Sequence, residues 1–299
     1  MRKSASNPIG TLSVGNVINA AVSVYKSNFR DFFSLALRSV GWTVLAIIGI
    51  IPVSIVAAII QNTGITVLAG VVWLGWLMFC LAKSLTSRGI VARMAYQQLI
   101  NQPESLSSAS GQLANSHWKF LGLFLLLAIF MGGVSILASL ALGAGVGVGI
   151  AVAMNVQNIL GYLISGVFFI AGTVAFIWIL MYFYASWFVA ELPLAVERCS
   201  GGLDALGRSR QLSTSFSARI LMVILVAFLI TIPLNFMTSI PAIATINQPA
   251  TSAIYLIAQG VNLVLSLLLE LFLMPFWQVI KSVVYFDLRS RSEGADLRM

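Results

Sequence analysis

Six long apolar segments, at about 40–60, 65–85, 120–142, 160–189, 220–240 and 253–280, decide most of what this chain can fold into. Each is long enough to cross a hydrocarbon core of about 30 Å at about 1.5 Å per residue. A backbone in that layer must satisfy its own hydrogen bonds, which helices do within one segment. The expected fold is therefore all-α and integral to a membrane, with six transmembrane helices in a single polytopic domain over 1–299. Only 9% of residues are charged, against about 25% in a soluble globule.

Charge placement predicts the topology. The connections QNTG at 61–64, the stretch Gly143–Asn158 and AIATINQPATS at 242–252 carry no charge. All 17 Lys and Arg lie in the other flanks: the amino-terminal segment, about 83–119, about 191–219, and the tail. The positive-inside rule then puts both termini in the cytoplasm, in a membrane expected to be the prokaryotic cytoplasmic membrane. The net charge of +8 is scattered over short flanks and builds no basic domain, so the lipid bilayer is expected as partner and nucleic acid is not. Cys80 and Cys199 imply no disulfide framework. The segment MRKSASNPIGTLSVG lacks an apolar core and a cleavage site, so the first span is expected to direct insertion.

A threefold organisation is expected. Leu12-Ser13, Leu106-Ser107 and Leu203-Asp204, 94 and 97 residues apart, each place an apolar residue before a candidate N-cap. Each start leads into a short amphipathic stretch, an aromatic and basic boundary, a first span, an uncharged hairpin and a second span. The second helices of the three units are expected to run on to about Gln102, Val196 and Arg291. The reading is three parallel repeats, about 12–105, 106–202 and 203–297, each an interfacial helix plus a transmembrane hairpin. In the first, Val14, Val17, Ile18, Ala21, Val24 and Tyr25 share one helical face. Pro52, Pro233 and Pro275 are candidate kinks. His117 stands without Cys, Asp or Glu at ligand spacing, so no metal and no cofactor is expected. The run GAGVGVG at 143–149 has no Lys and follows no strand, which suits close helix packing better than phosphate binding.

Two polar stretches stand out. One is ELPLAVERCSGGLDALGRSRQLS, Glu191 to Ser213, with Glu197, Ala205, Leu206, Arg208, Ser209 and Leu212 in sequence. The other is the tail Tyr285, Phe286, Asp287, Leu288, Arg289, Arg291, Glu293, Gly294, Asp296, Leu297. Together they resemble the loop and ending of the glycerophosphoryl diester phosphodiesterase membrane domain family. That resemblance implies a membrane region only, since no hydrophilic segment is long enough for a catalytic barrel. By charge alone, Arg208, Arg210, Arg289 and Arg291 can pair with Glu197, Asp204, Asp287, Glu293 and Asp296 and lock cytoplasmic ends together. Alternatively the arginines hold anionic lipid headgroups.

Glu270 lies inside the last span, where an unpaired charge costs at least about 2.5 kcal/mol. Asn262, Ser266 and Asn235 are its candidate partners. Either it is a functional acid or it is a protonated acid that fixes one helix arrangement. No His-x-x-x-His, paired intramembrane Asp or Gly-x-Ser-x-Gly elbow is present, so no enzyme is expected. The first functional expectation is a non-enzymatic membrane protein that organises or partners other membrane components, including a possible membrane protein partner, through its cytoplasmic helices and charged tail. The alternative is a transporter or lipid-handling protein using the bundle centre around Glu270.

Overall fold

A computed structural model describes residues 13–60, 62–156, 159–197 and 199–293. Among them it contains ten α-helices and no strand. The order is α1 (Val14–Ser27), α2 (Phe29–Ile48), α3 (Ile50–Ile60), α4 (Thr63–Leu99), α5 (Leu106–Leu113), α6 (His117–Val156), α7 (Ile159–Trp187), α8 (Gly202–Ser213), α9 (Ser217–Ala244) and α10 (Ala253–Ser292). Six helical stretches are long and apolar enough to span a membrane, α2 with α3 and α8 with α9 each forming one of them.

Three antiparallel pairs carry the apolar length: α2/α3 with α4, α6 with α7, and α9 with α10. The short helices pack across these pairs. α5 lies on α4, α8 on α6 and α7, and α1 on α10 and α9. In α1 the buried residues are Val17, Ile18, Ala21 and Val24, the face expected from the apolar period, and Ser13 Oγ caps its start by accepting from Asn16 N at 3.3 Å.

The protein core sits at one end, the end that carries the charges. Burial in α4 begins at Cys80 and continues to Tyr96, while none of Thr63–Phe79 is buried. In α10 it runs from Leu271 to Leu288, and Ala258 is the one buried residue before it. α3 buries nothing. Large side chains such as Ile59, Leu68, Leu163 and Ile257 are left uncovered by protein, as lipid-facing residues should be.

The structure corrects several details of the expectation. The stretch from Gly143 is not a loop, because α6 continues through it to Val156. Glycine is a poor helix former in water, but a backbone without water to bond stays helical. Within the run only Gly149 makes a close approach: a Cβ there would lie 3.2 Å from Ser165 Cα on α7. The N-cap of α5 is Ser105 rather than Ser107, and that of α8 is Gly201 rather than Asp204. α8 starts early because the chain passes tightly over α6, where a Cβ on Gly202 would stand 3.0 Å from Leu123 Cα. α7 ends at Trp187, short of the expected Val196, and a π-helical turn, Pro193–Glu197, follows it. The first span breaks at Gly49, three residues before Pro52. Trp73 Nε1 donates to Ala46 O at 3.3 Å and Trp76 Nε1 to Leu45 O at 3.1 Å, so indoles serve carbonyls beside the break. Pro233 and Pro275 lie within uninterrupted helices.

Candidate functional site

The two polar stretches meet in space. On α10, Tyr285, Arg289 and Glu293 are spaced by four residues and share one face, whereas Asp287 and Arg291 share the opposite one. The tail is thus two interleaved stripes, with buried Leu288 between them in the core.

The first stripe closes a polar ring. Tyr285 Oη donates to Glu197 Oε1 on the π-helical turn. Arg208 of α8 pairs with Glu197, Nε to Oε2 at 3.1 Å, and through Nη2 with Glu293. Arg289 Nε meets Glu293 Oε2 at 2.7 Å, and its Nη1 donates to Tyr96 Oη of α4 at 3.2 Å. The Tyr96 and Tyr285 rings, 5.5 Å apart, complete the circuit edge to face. Burial would raise the Glu293 carboxyl, but hydrogen bonds from Arg289 and Arg208 outweigh it and hold the group below the usual carboxylate range. Two carboxylates and two guanidinium groups balance, so the ring is neutral and self-satisfied. It is a latch between α4, α8, α10 and the turn after α7.

The second stripe faces α9. Asp287 Oδ2 accepts from Arg219 Nε at 3.1 Å and from Arg291 Nε at 3.0 Å, with the Arg291 guanidinium over the Phe216 ring. A third lock is centred on Arg93, buried on α4, which donates to Glu104 at 2.8 Å, to Gln112 at 2.7 Å and to Ala195 O at 2.9 Å. Arg93–Glu104 and Glu197–Arg208 each span 11 residues, across the link from a hairpin to the next short helix.

Glu270 has a basic partner that its neighbours in sequence do not reveal. Arg88 Nη2 of α4 donates to its Oε1 at 2.9 Å, with the two side chains 34% and 36% exposed. Asn235 instead donates to Thr231 O of its own helix at 2.9 Å, and neither Asn262 nor Ser266 bonds the acid. Glu270 lies 17 residues beyond Ala253, about 26 Å along α10 at about 1.5 Å per residue, so it sits toward the charged end of the apolar layer. Below it Lys281 Nζ meets Glu191 Oε1 at 2.9 Å. Burial would raise the Glu191 carboxyl, but Lys281, and after it Arg88 and Gln278, hold it low.

The remaining expected residues stay apart. Arg210 is exposed and has no ion pair among the described residues, and Asp204 accepts from Ser200 Oγ. Asp296 lies outside the described residues. Sequence reading did not find Arg88, Arg93, Glu104, Glu191, Arg219 and Lys281. For Arg88, Arg93 and Lys281 the signal is a charge on a helix that extends past the length a span needs, whereas Glu104 and Glu191 lie in the connections beyond α4 and α7. Compared with known protein families, curated proteins and solved structures, the chain matches none.

Proposed function

We propose that this is a non-enzymatic membrane protein whose charged end forms a rigid platform for other membrane components, with both termini on the cytoplasmic side. The observation that carries the reading is the polar ring, which ties the end of α10 to α4, α8 and the turn after α7. A chain that concentrates burial and ion pairing at one face, and leaves its apolar helices uncovered, is suited to holding hairpins in fixed relation at a membrane surface.

Three parallel units, each an interfacial helix and a hairpin, are the organisation we favour within that platform. The packing order supports it: α5 of the second unit lies on the first hairpin, α8 of the third on the second, and α1 of the first on the third. Each short helix so covers the preceding hairpin, in a cycle. The resemblance of the loop and tail to the glycerophosphoryl diester phosphodiesterase membrane domain family fits this reading, because the stretches that carry it are the ones that form the latch.

The charges of the tail are consumed internally up to Glu293, so a partner is expected on the outward face of α8. There Leu203, Arg210 and Gln211 are exposed, and Arg210 has no ion pair among the described residues. The test is co-purification from gently solubilised native membranes of the intact chain and of a Leu203→Glu, Arg210→Glu variant. A protein recovered in stoichiometric amount with the first and at least fivefold less with the second is the expected result. Recovery of lipid alone with both would overturn the platform reading.

A further inference from the structure

Along the apolar half of α10 the polar residues fall on one line. Between Ile254 and Glu270 they are Tyr255, Gln259, Asn262, Ser266 and Glu270, and every other residue there is apolar or glycine. Steps of four, three, four and four, at about 100° per residue, confine them to an arc of roughly 80°. No apolar residue of that stretch falls within it. The helix is unbroken, so the stripe runs from about 3 Å to about 26 Å below its start at Ala253, nearly the thickness of a hydrocarbon core.

Ser266 is exposed and the other four side chains are half-buried. Tyr255 Oη, the Gln259 and Asn262 amides and the Ser266 hydroxyl meet no hydrogen-bond partner among the described residues. Other polar groups in the apolar layer behave differently. Ser135, Thr173, Thr231 and Asn235 each bond a carbonyl of their own helix. Polar groups without partners in a hydrocarbon layer are costly, and a stripe of them through the layer calls for water beside it. At its foot stands Arg88, which donates one hydrogen bond to Glu270 and whose buried Nε meets no partner among the described residues. Buried Nε aside, its remaining N–H groups are donors suited to a carboxylate or phosphate.

We infer that this stripe is the wall of a water-filled path, open at the uncharged end, which leads a small solute bearing an oxyanion to the Arg88–Glu270 pair. It stands independently of the platform and gives the transport alternative a defined route. Thiol accessibility tests it in the full chain reconstituted in permeabilised vesicles, with Cys80→Ala and Cys199→Ser as background. Gln259→Cys, Asn262→Cys and Ser266→Cys probe the stripe, and Val264→Cys and Leu268→Cys, both exposed on other faces, are the references. Only a hydrated thiol ionises and reacts quickly with 2-sulfonatoethyl methanethiosulfonate. The stripe positions are expected to react at least tenfold faster than the references. Ser266→Cys should also favour this anionic reagent over its trimethylammonium counterpart, relative to their ratio on free cysteine. Stripe positions that react no faster than the references, or that form disulfides between two copies, would overturn the path. A preference for the cationic reagent at Ser266→Cys would overturn the oxyanion assignment.

Discussion

The two halves of α10 obey different rules. From Leu271 to Ser292 the helix is packed on several sides, and its charges are bound by α4, α8 and α9 and by one another. From Ala253 to Glu270 it buries only Ala258 and keeps a line of polar groups of which Tyr255 Oη, Gln259, Asn262 and Ser266 meet no partner among the described residues. α4 divides in the same way near Cys80. The first region draws its stability from protein packing and paired charge, the second from the apolar layer around it. Substitutions should therefore cost most where the helix is packed and least where lipid is the neighbour.

The largest effect is expected at Arg93, whose side chain is 8% exposed against 11% for Glu104. Arg93→Ala leaves the shielded Glu104 carboxylate, still bonded by Ser108 and Gln112, without its cationic partner and removes a donor from the Ala195 carbonyl, and breaking such a pair costs about 3–5 kcal/mol. Thermal unfolding in mild detergent should show a large drop in Tm. A Tm close to that of the parent protein would mean that the charged end is looser than its geometry.

Glycines along α4 give a paired test of intermediate size. A Cβ on Gly89 would lie 2.4 Å from the buried Phe120 ring, whereas one on Gly75 meets nothing within 4 Å. Gly89→Ala is expected to cost about 1–3 kcal/mol by overpacking. Gly75→Ala should cost nothing measurable, since alanine is the better helix former. Equal effects at the two positions would erase the division between the halves of the helix.

Much of this division was legible before any coordinates. The apolar segments, the segregated charges and the face of α1 follow from periodicity and charge, and so does the pool of charges from which Glu197, Arg208 and Glu293 are drawn, though not which of them meets which. Local sequence carries such information because helix period and solvation act over neighbouring residues. The partner of Glu270 was not legible, because Arg88 lies 182 residues away in the chain. The helical state of the stretch from Gly143 was hidden for another reason: glycine signals a turn in water, but the surrounding solvent decides whether that signal applies. Likewise Arg93 carries no local mark of its role, since three segments converge on it only in the folded chain.

The smallest effect expected is one of pH, and it separates the latch from the rest of the charged end. Glu293 is held below its ordinary value of 4.5, so the native chain binds its proton less readily than the unfolded chain. The stabilisation from that difference is fully present above the unfolded value and is lost as pH falls through the folded one. Glu191, also held low by its cations, contributes in the same sense. Stability should accordingly be flat from neutral pH to about 5 and decline below about 4.5. Because Glu293 is about a third exposed, solvent screens its share and the change in Tm will be small. In Glu293→Gln the acid-side decline should be shallower while the decline due to Glu191 remains. If the two proteins lose stability in parallel from pH 5 to 3, Arg208 and Arg289 do not hold that carboxylate, and the ring is not the latch that joins α10 to α8.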